Sequence, residues 1–255
     1  MKLHTNRLFL FTSNKALCGI GVLLLGGVNP AAAQSTVFID FGNDARQMAS
    51  PNTGTYWNNL NQLQASVVYE AANGGSISLV NSLNTSTGIT LTVTDLFENE
   101  NNAGTSTPST SVSEFNFNNM GFDSLHTQNT NPTAGFTFSG LNSGFTYKFT
   151  MFAARIGVSD VRSAAYTFTG GSTQTVTLDA SNNTSNTVVT TAIVPDGSNN
   201  IIFSMAKAAS NDNPFGFAYL GGMKIEIAVI PEPSSFAALA GLSVLGLVAY
   251  RRRRA

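Results

Sequence analysis

The stretch Ile89-Thr-Leu-Thr-Val-Thr-Asp95 alternates aliphatic residues with threonine. Successive side chains of a β-strand point to opposite faces, so this pattern places the three aliphatic residues on one face and the hydroxyls on the other. The stretch Tyr147-Lys-Phe-Thr-Met-Phe-Ala153 has the same period of two. Both patterns predict strands that bury one face in a core and expose the other.

Similar runs recur along the chain, from Val37–Asp40 near the beginning to Phe217–Ala228 near the end. Clusters such as Asn73-Gly-Gly75 and Pro195-Asp-Gly-Ser198 separate them as turns. We count about eleven short strands, with one helical turn expected in residues 59–66 and no amphipathic helix between the strands. This organisation predicts an all-β fold over residues 34–228, an antiparallel sandwich of jelly-roll form.

Residues 98–134 do not show this alternation of short strands and turns. They are rich in Asn, Ser, Thr and Gly, and their apolar residues are concentrated between Phe115 and Phe122. A stretch of this length without regular structure is usually either a binding loop or a mobile loop. The polar composition favours the second alternative, so we expect a long, mobile polar loop.

The composition and the beginning of the chain indicate export. Charged residues make up 11% of the 255 residues, well below the usual quarter, and this is typical of extracellular all-β proteins. Residues 1–33 begin with basic residues, continue with an apolar run over residues 20–28 and end with small residues at Ala33. This order predicts a helical signal peptide that is cleaved after Ala33. The single cysteine, Cys18, lies in that leader, so the mature chain has no disulfide.

The end of the chain has three parts. Pro231-Glu232-Pro233 comes first, an uncharged run from Phe236 to Tyr250 follows, and the last part is Arg251, Arg252, Arg253 and Arg254. As a helix the run would be about 22 Å long, short against a hydrocarbon core of about 30 Å, and we expect a transmembrane segment over residues 236–250. The arginines resist translocation, which places them in the cytoplasm and the preceding domain outside.

These three parts over residues 229–255 resemble the PEP-CTERM sorting signal. The resemblance implies that the chain leaves the cytoplasm through the Sec machinery and is processed by an exosortase, a membrane protease-transpeptidase of Gram-negative bacteria that make exopolysaccharide. It also implies a transient anchor in the inner membrane, followed by delivery to the cell surface or extracellular matrix. The alternative is an ordinary C-terminal anchor with an incidental pair of prolines.

The net charge of the central region excludes one class of partner. The chain has 13 basic residues, of which three lie in the leader and four at the end, and 14 acidic residues, of which only Glu232 lies outside residues 34–230. This leaves 6 basic and 13 acidic residues, so the region carries about −7. A negative domain without a basic patch does not bind nucleic acid.

A second resemblance concerns the central region. The stretches Phe138-Ser-Gly-Leu-Asn142 and Phe217-Ala-Tyr-Leu-Gly-Gly-Met-Lys-Ile225 resemble galactose-binding-like and malectin-like β-sandwich domains. Such sandwiches often hold a structural calcium where the first and last strands meet, and the resemblance implies that Asp40 and Glu226 supply carboxylates there. The alternative is that both are exposed strand positions. One histidine and no cysteine in the mature chain exclude an ordinary zinc site.

Ligand binding would require aromatic faces and polar side chains on loops. Tyr56 and Trp57 are adjacent in an Asn-rich stretch, and two neighbouring side chains cannot both point into a strand core. We therefore expect Tyr56, Trp57 and Arg155 to contribute to a sugar-binding surface. The alternative is that Trp57, the only tryptophan, closes the core.

Catalysis finds little support in the sequence. The spacing of Asp123 and His126 matches the Asp-x-x-His of SGNH-type esterases, but Asp40-Phe-Gly-Asn-Asp44 has no serine at the position of the nucleophile. We expect a non-catalytic surface or matrix protein with a structural, adhesive or carbohydrate-binding role in exopolysaccharide or biofilm. The alternative is a secreted esterase or glycosidase on the same scaffold.

Overall fold

The computed structural model describes residues 35–68 and 75–230, together with Ser243 and Arg252. Its α-helices are α1 (Gln62–Ala65) and α2 (Asn118–Phe122), and 3₁₀ helices cover Asp44–Arg46 and Thr110–Phe115. Its strands are β1 (Ser35–Gly42), β2 (Asn58–Asn61), β3 (Ser76–Val80), β4 (Ser86–Asp95), β5 (Asn99–Asn101), β6 (Ser124–Thr127), β7 (Thr133–Ser139), β8 (Phe145–Phe152), β9 (Ser163–Thr169), β10 (Thr173–Asp179), β11 (Val188–Val189), β12 (Ile201–Lys207), β13 (Ala218–Leu220) and β14 (Gly222–Val229).

The strands form three sheets. Five strands pair in the order β11-β8-β14-β1-β2, six in the order β10-β9-β12-β7-β4-β3, and three in the order β13-β6-β5. Neighbouring strands are antiparallel with one exception, because β2 runs parallel to β1 with Ile39 beside Asn58. The prediction of an all-β, antiparallel sandwich is therefore confirmed, and the helical turn expected in residues 59–66 is α1.

Phenylalanine rings fill the space between the two larger sheets. Phe149 of β8 stacks on Phe168 of β9 with 4.2 Å between ring centroids, and Phe41 of β1 stacks on Phe136 of β7 at 5.5 Å. All four side chains have zero solvent exposure. The alternation seen in the sequence thus directs one face of each strand into a single aromatic core.

The run from Phe217 to Ala228, which the sequence predicts to be one strand, divides at Gly221. β13 joins the three-stranded sheet on one side of this glycine, and β14 joins the five-stranded sheet on the other. A side chain at Gly221 would lie 3.2 Å from the carbonyl oxygen of Asp123 and 3.3 Å from that of Phe152. The hydroxyl of Tyr166 in β9 donates to the carbonyl oxygen of Tyr219 in β13, which ties the small sheet to the core.

The expectation of a mobile polar loop over residues 98–134 is wrong. This segment forms β5, a 3₁₀ helix, α2 and β6. Its apolar residues form a second cluster on the outer face of the five-stranded sheet, where Phe115 stacks on Phe152 at 5.9 Å. A few well-placed apolar side chains fix the segment, because their burial outweighs the polar composition between them.

No membrane-spanning helix occurs in the described part of the chain, because none of its helices has the length and apolarity needed to cross a bilayer. The predicted signal helix over residues 1–33 lies outside the described residues. The predicted transmembrane segment over residues 236–250 also lies outside them, apart from Ser243.

Replacing Phe149 by alanine should strongly destabilise the domain. The change leaves a cavity between the sheets and removes the stack on Phe168, and we expect a loss of about 3–5 kcal/mol in the free energy of unfolding. Leu83→Ala is the matched control, since Leu83 is 79% exposed and should change stability by no more than about 0.5 kcal/mol. Urea unfolding followed by tyrosine and tryptophan fluorescence measures both. Equal stabilities of the two variants would contradict the role of the aromatic core.

Candidate functional site

A cleft of about 420 Å³ lies over the three-stranded sheet. Its floor is a row of three directly opposed residues, Asn99 of β5, His126 of β6 and Tyr219 of β13. The segments between β8 and β9 and between β12 and β13 contribute the walls. The full lining is Glu98, Asn99, Glu100, Asn101, His126, Gln128, Arg155, Arg162, Phe215, Phe217 and Tyr219.

Aromatic rings form one side of the cleft. Phe217 packs against His126 with 5.2 Å between ring centroids and lies nearly parallel to Tyr219 at 6.1 Å. Phe215 is 63% exposed at the rim. The side-chain oxygen of Asn213 accepts hydrogen bonds from the backbone N–H groups of Phe215 and Phe217, so a tight turn presents Phe215 to solvent.

Arg162 is held in place beside these rings. Its Nη1 donates to the hydroxyl of Tyr219 over 2.7 Å, and its Nε donates to the carboxylate of Asp160 over 3.1 Å. Burial lowers the pKa of Arg162, but the hydrogen bonds to Asp160 and Tyr219 outweigh burial and leave that pKa raised. Asn213 and Arg162 together hold the pKa of Asp160 below its ordinary value. Both groups therefore stay ionised at neutral pH.

Arg155 lies at the same end of the cleft. Its Nη1 donates to the carbonyl oxygens of Ile156 and Ala103, at 2.5 and 3.4 Å. Burial raises the pKa of the Tyr219 phenol, while hydrogen bonds and charges from Arg162 and Arg155 act in the opposite direction. Two guanidinium groups therefore line the end of the cleft that Tyr219 occupies.

The opposite end of the cleft carries two carboxylates. Glu98 accepts a hydrogen bond from Gln128 over 2.7 Å, and Glu100 accepts one from the side chain of Asn43 over 3.3 Å. Glu98 lies directly before β5 and the arginines lie beside β13, so the cleft has an acidic end and a basic end. The carboxyl of Glu100 is directed towards Asn43 and Asp123, since Glu100 lies opposite the buried Leu125.

His126 occupies the middle of the floor as a neutral group. Its side chain is 8% exposed, and its Nδ1 has no hydrogen-bond partner among the described residues. Burial and the charge of Arg162 lower its pKa to about 4. At neutral pH the imidazole is therefore uncharged and offers hydrogen-bonding capacity to whatever enters the cleft.

The Asp-x-x-His spacing does not produce a catalytic pair. Asp123 precedes β6 and faces Gly42, where its Oδ2 accepts from the backbone N–H of Asn43 over 2.6 Å. His126 is three residues later and faces the cleft, because odd separations along a strand point to opposite faces. Burial raises the pKa of Asp123 to about 7, and it also raises that of Asp40, whose carboxyl interacts electrostatically with Asp123.

The predicted calcium ligands Asp40 and Glu226 do not form a common site. Asp40 lies opposite Gly222 and Glu226 lies opposite Thr36, so they stand four positions apart along the paired strands. Asp40 is buried, whereas Glu226 forms an ion pair with Lys148 at 3.3 Å. In the described residues no group of three His, Cys, Asp or Glu side chains is arranged to hold a metal.

The predicted sugar-binding residues separate in the structure. Trp57 is 3% exposed and packs on Phe38 at 5.1 Å and on Phe117 at 6.3 Å, so the expectation of an exposed platform is wrong and the core alternative holds. Tyr56 is partly buried and does not line the cleft. Arg155 does line the cleft.

Sequence reasoning missed the aromatic wall and most of the floor. Phe215, Phe217 and Tyr219 are spaced two apart, which also describes an ordinary strand. The usable signal was the turn Asn213-Pro-Phe-Gly216, which places an aromatic residue between turn-forming residues. The row formed by Asn99, His126 and Tyr219 joins distant parts of the chain and has no local signal.

Comparison with known proteins supports the sorting tail. Residues 229–254 match the PEP-CTERM protein-sorting motif. This match confirms the predicted tail, and it marks an exported protein that is membrane-anchored before an exosortase processes it. No curated protein matches the chain.

Three solved structures share low similarity with the chain. The plant receptor-like kinase ANX2 is 11% identical with a TM-score of 0.46, and the match covers 77% of this chain and 48% of that one. The ANX1 ectodomain from Arabidopsis thaliana is 11% identical with a TM-score of 0.34, covering 60% and 51%. TmCBM61 in complex with β-1,4-galactotriose is 11% identical with a TM-score of 0.25, covering 57% and 90%. The chain thus spans about half of the ANX chains.

Replacing Asp123 by asparagine should stabilise the protein at high pH. The raised pKa means that the wild type loses stability as the pH rises from about 4 to about 7, since the buried carboxyl must then ionise. Asparagine keeps an acceptor for the N–H of Asn43 and does not ionise. We expect a gain on the order of 3 kcal/mol at pH 8 that vanishes near pH 4.

Urea unfolding across this pH range measures the difference between Asp123→Asn and the wild type. Asp95→Asn is the control, because Asp95 is exposed at the end of β4. A difference between Asp123→Asn and the wild type that does not depend on pH would refute the buried, proton-binding carboxyl.

Proposed function

We propose that this exported, exosortase-processed protein binds a saccharide in the cleft over the three-stranded sheet and has no catalytic activity. The observation that carries the proposal is the exposed ring of Phe215 beside a buried row of polar side chains. Saccharides present apolar C–H faces and hydroxyl edges together, so a binding site needs an aromatic surface next to fixed donors and acceptors.

The aromatic wall supplies the apolar surface. Phe215 exposes 63% of its area at the rim, where a sugar ring can lie against it and exclude water. Phe217 and Tyr219 continue the apolar surface towards the floor. Because Phe217 and Tyr219 pack on His126, the wall is rigid, and binding does not require ordering of several flexible side chains.

The floor and the far wall supply hydrogen bonds. Asn99, Asn101 and Gln128 provide amides that donate and accept, and the carboxylate of Glu98 accepts from hydroxyls. These donors and acceptors match the hydroxyl groups of a saccharide better than an apolar ligand.

The sorting tail indicates where this binding would take place. An exosortase substrate reaches the outside of the cell, where polysaccharide is the abundant polymer of a matrix. A protein that binds it would act as an adhesive or structural component of exopolysaccharide or biofilm. The cleft lies in the domain before residue 229, which remains when the tail is processed.

A secreted glycosidase is the second candidate, favoured by the carboxylates of Glu98 and Glu100. Both glutamates line the cleft, and a glycosidase needs a pair of carboxyl groups. The amides of Gln128 and Asn43 hold these carboxylates in place, and this arrangement also fits a binding site.

Phe215→Ala should weaken saccharide binding without unfolding the domain. Loss of the exposed stacking surface should reduce affinity roughly tenfold, equivalent to about 1.4 kcal/mol, for glycans selected on an array with the full chain in mild detergent. Leu83→Ala, a similarly exposed apolar residue, is the control. Unchanged affinity in Phe215→Ala, or no glycan bound by the wild type, would refute the proposal. Release of reducing ends that Glu98→Gln and Glu100→Gln abolish would instead establish the glycosidase.

Replacing Pro231 and Pro233 by alanine should block processing of the tail. Proline fixes φ and lacks an N–H donor, whereas alanine favours helix, so the double variant removes the backbone restriction that the tripeptide imposes. We expect at least a tenfold increase in unprocessed chain in the membrane fraction, measured by mass spectrometry of the C-terminal peptide. Phe215→Ala, remote from the tail in sequence, should be processed normally. Normal processing of the double variant would show that the tripeptide is not recognised.

A further inference from the structure

We propose that the saccharide is acidic and that its carboxylate binds Arg155 and Arg162, with a neutral neighbouring sugar directed towards Glu98. This inference rests on the proposed saccharide-binding function and specifies the ligand class of the same cleft. It follows from the separation of charge along the floor.

The basic end of the cleft is preformed. The Nη1 of Arg162 lies 2.7 Å from the hydroxyl of Tyr219, and Arg155 interacts with the same hydroxyl. The guanidinium of Arg162 also lies over the ring of Phe217, 5.3 Å from its centroid. Fixed guanidinium groups bind an anion at a low entropic cost, since their side chains are already ordered.

Arg155 has charge available for a ligand. Its guanidinium donates to the neutral carbonyl oxygens of Ile156 and Ala103, and no Asp or Glu of the described residues lies within 4 Å of it. Arg162, by contrast, shares its charge with Asp160. A guanidinium has five N–H donors in a planar fork that matches a carboxylate, so Arg155 is the principal anchor.

The acidic end limits how many carboxylates the ligand can carry. Glu98 accepts hydrogen bonds from sugar hydroxyls, and the negative charges of Glu98 and Glu100 repel a second carboxylate in the same cleft. The strands β5 and β13 are separated by β6, so the two ends are about 10 Å apart, close to the length of a disaccharide. The arrangement therefore fits a repeat in which an acidic sugar alternates with a neutral one.

His126 separates the two ends without adding charge. Because burial and Arg162 keep its imidazole neutral at physiological pH, it neither attracts the carboxylate towards the centre nor competes with Arg155.

Matched ligands test this inference. Oligosaccharides from hyaluronan, in which glucuronate alternates with a neutral amino sugar, and from xanthan and alginate are each compared with their carboxyl-reduced forms. Isothermal titration calorimetry with the full chain in mild detergent measures affinity. We expect at least one native oligosaccharide to bind, and its reduced form to bind at least tenfold more weakly. Alginate, with a carboxylate on every sugar, should bind more weakly than the alternating polymer.

Matched variants identify the anchor. Arg155→Gln should lose at least tenfold in affinity for the native oligosaccharide and little for the reduced form, and Arg155→Lys should lie between because it keeps the charge without the fork. Lys148→Gln is the control, since Lys148 is an exposed cation paired with Glu226 away from the cleft. Thermal unfolding confirms that each variant is folded.

The possible failures are distinguishable. If native and reduced oligosaccharides bind equally well and Phe215→Ala weakens both, the acidic ligand is refuted while the saccharide-binding function stands. If Arg155→Gln weakens native and reduced forms alike, Arg155 is not the carboxylate anchor, and the inference is overturned. If a glycan array and all these oligosaccharides give no binding, the proposed function fails and the inference fails with it.

Discussion

The stacking of phenylalanine rings between the two larger sheets is the constraint on which the rest of the structure depends. Phe149 on Phe168 and Phe41 on Phe136 join strands of opposite sheets inside a fully dry layer. The described residues contain no cysteine to cross-link, so burial of apolar area provides most of the driving force for folding. This layer also positions the small sheet, because Tyr166 packs within it and donates its hydroxyl to Tyr219.

The cleft arises where the chain leaves one sheet for another. At Gly221 the backbone passes from β13 to β14, so the aromatic residues before the glycine face the cleft while those after it enter the five-stranded sheet. Strands and short turns thus hold nearly every lining group. Burial keeps His126 neutral. Hydrogen bonds to Asp160 and Tyr219 keep Arg162 ionised. The result is a rigid surface with separated charges, which suits selective binding of a polar ligand.

Two of the sequence interpretations that the structure corrects share a physical cause. Trp57 lies in an Asn-rich stretch, which predicts a loop position, yet its ring packs against Phe38 and Phe117. The segment 98–134 has a disordered-looking composition, yet Phe115 and Met120 anchor it on the outer face of the five-stranded sheet. In both cases distant apolar residues provide the burial. Local composition reports the average environment of a segment and cannot show which remote surface covers it.

The sequence alone determined the alternation that makes the strands, the all-β sandwich and the sorting tail, because these depend on local periodicity and on the order of short segments. It also identified Arg155 as a ligand-binding candidate. Only the tertiary structure decided that Arg155 meets Arg162 and Tyr219, that Asp40 and Glu226 are apart, and that His126 and Asp123 face opposite ways. Those relations depend on strand register and on the change of sheet at Gly221, and both are set by side chains packing across distances that sequence patterns do not encode.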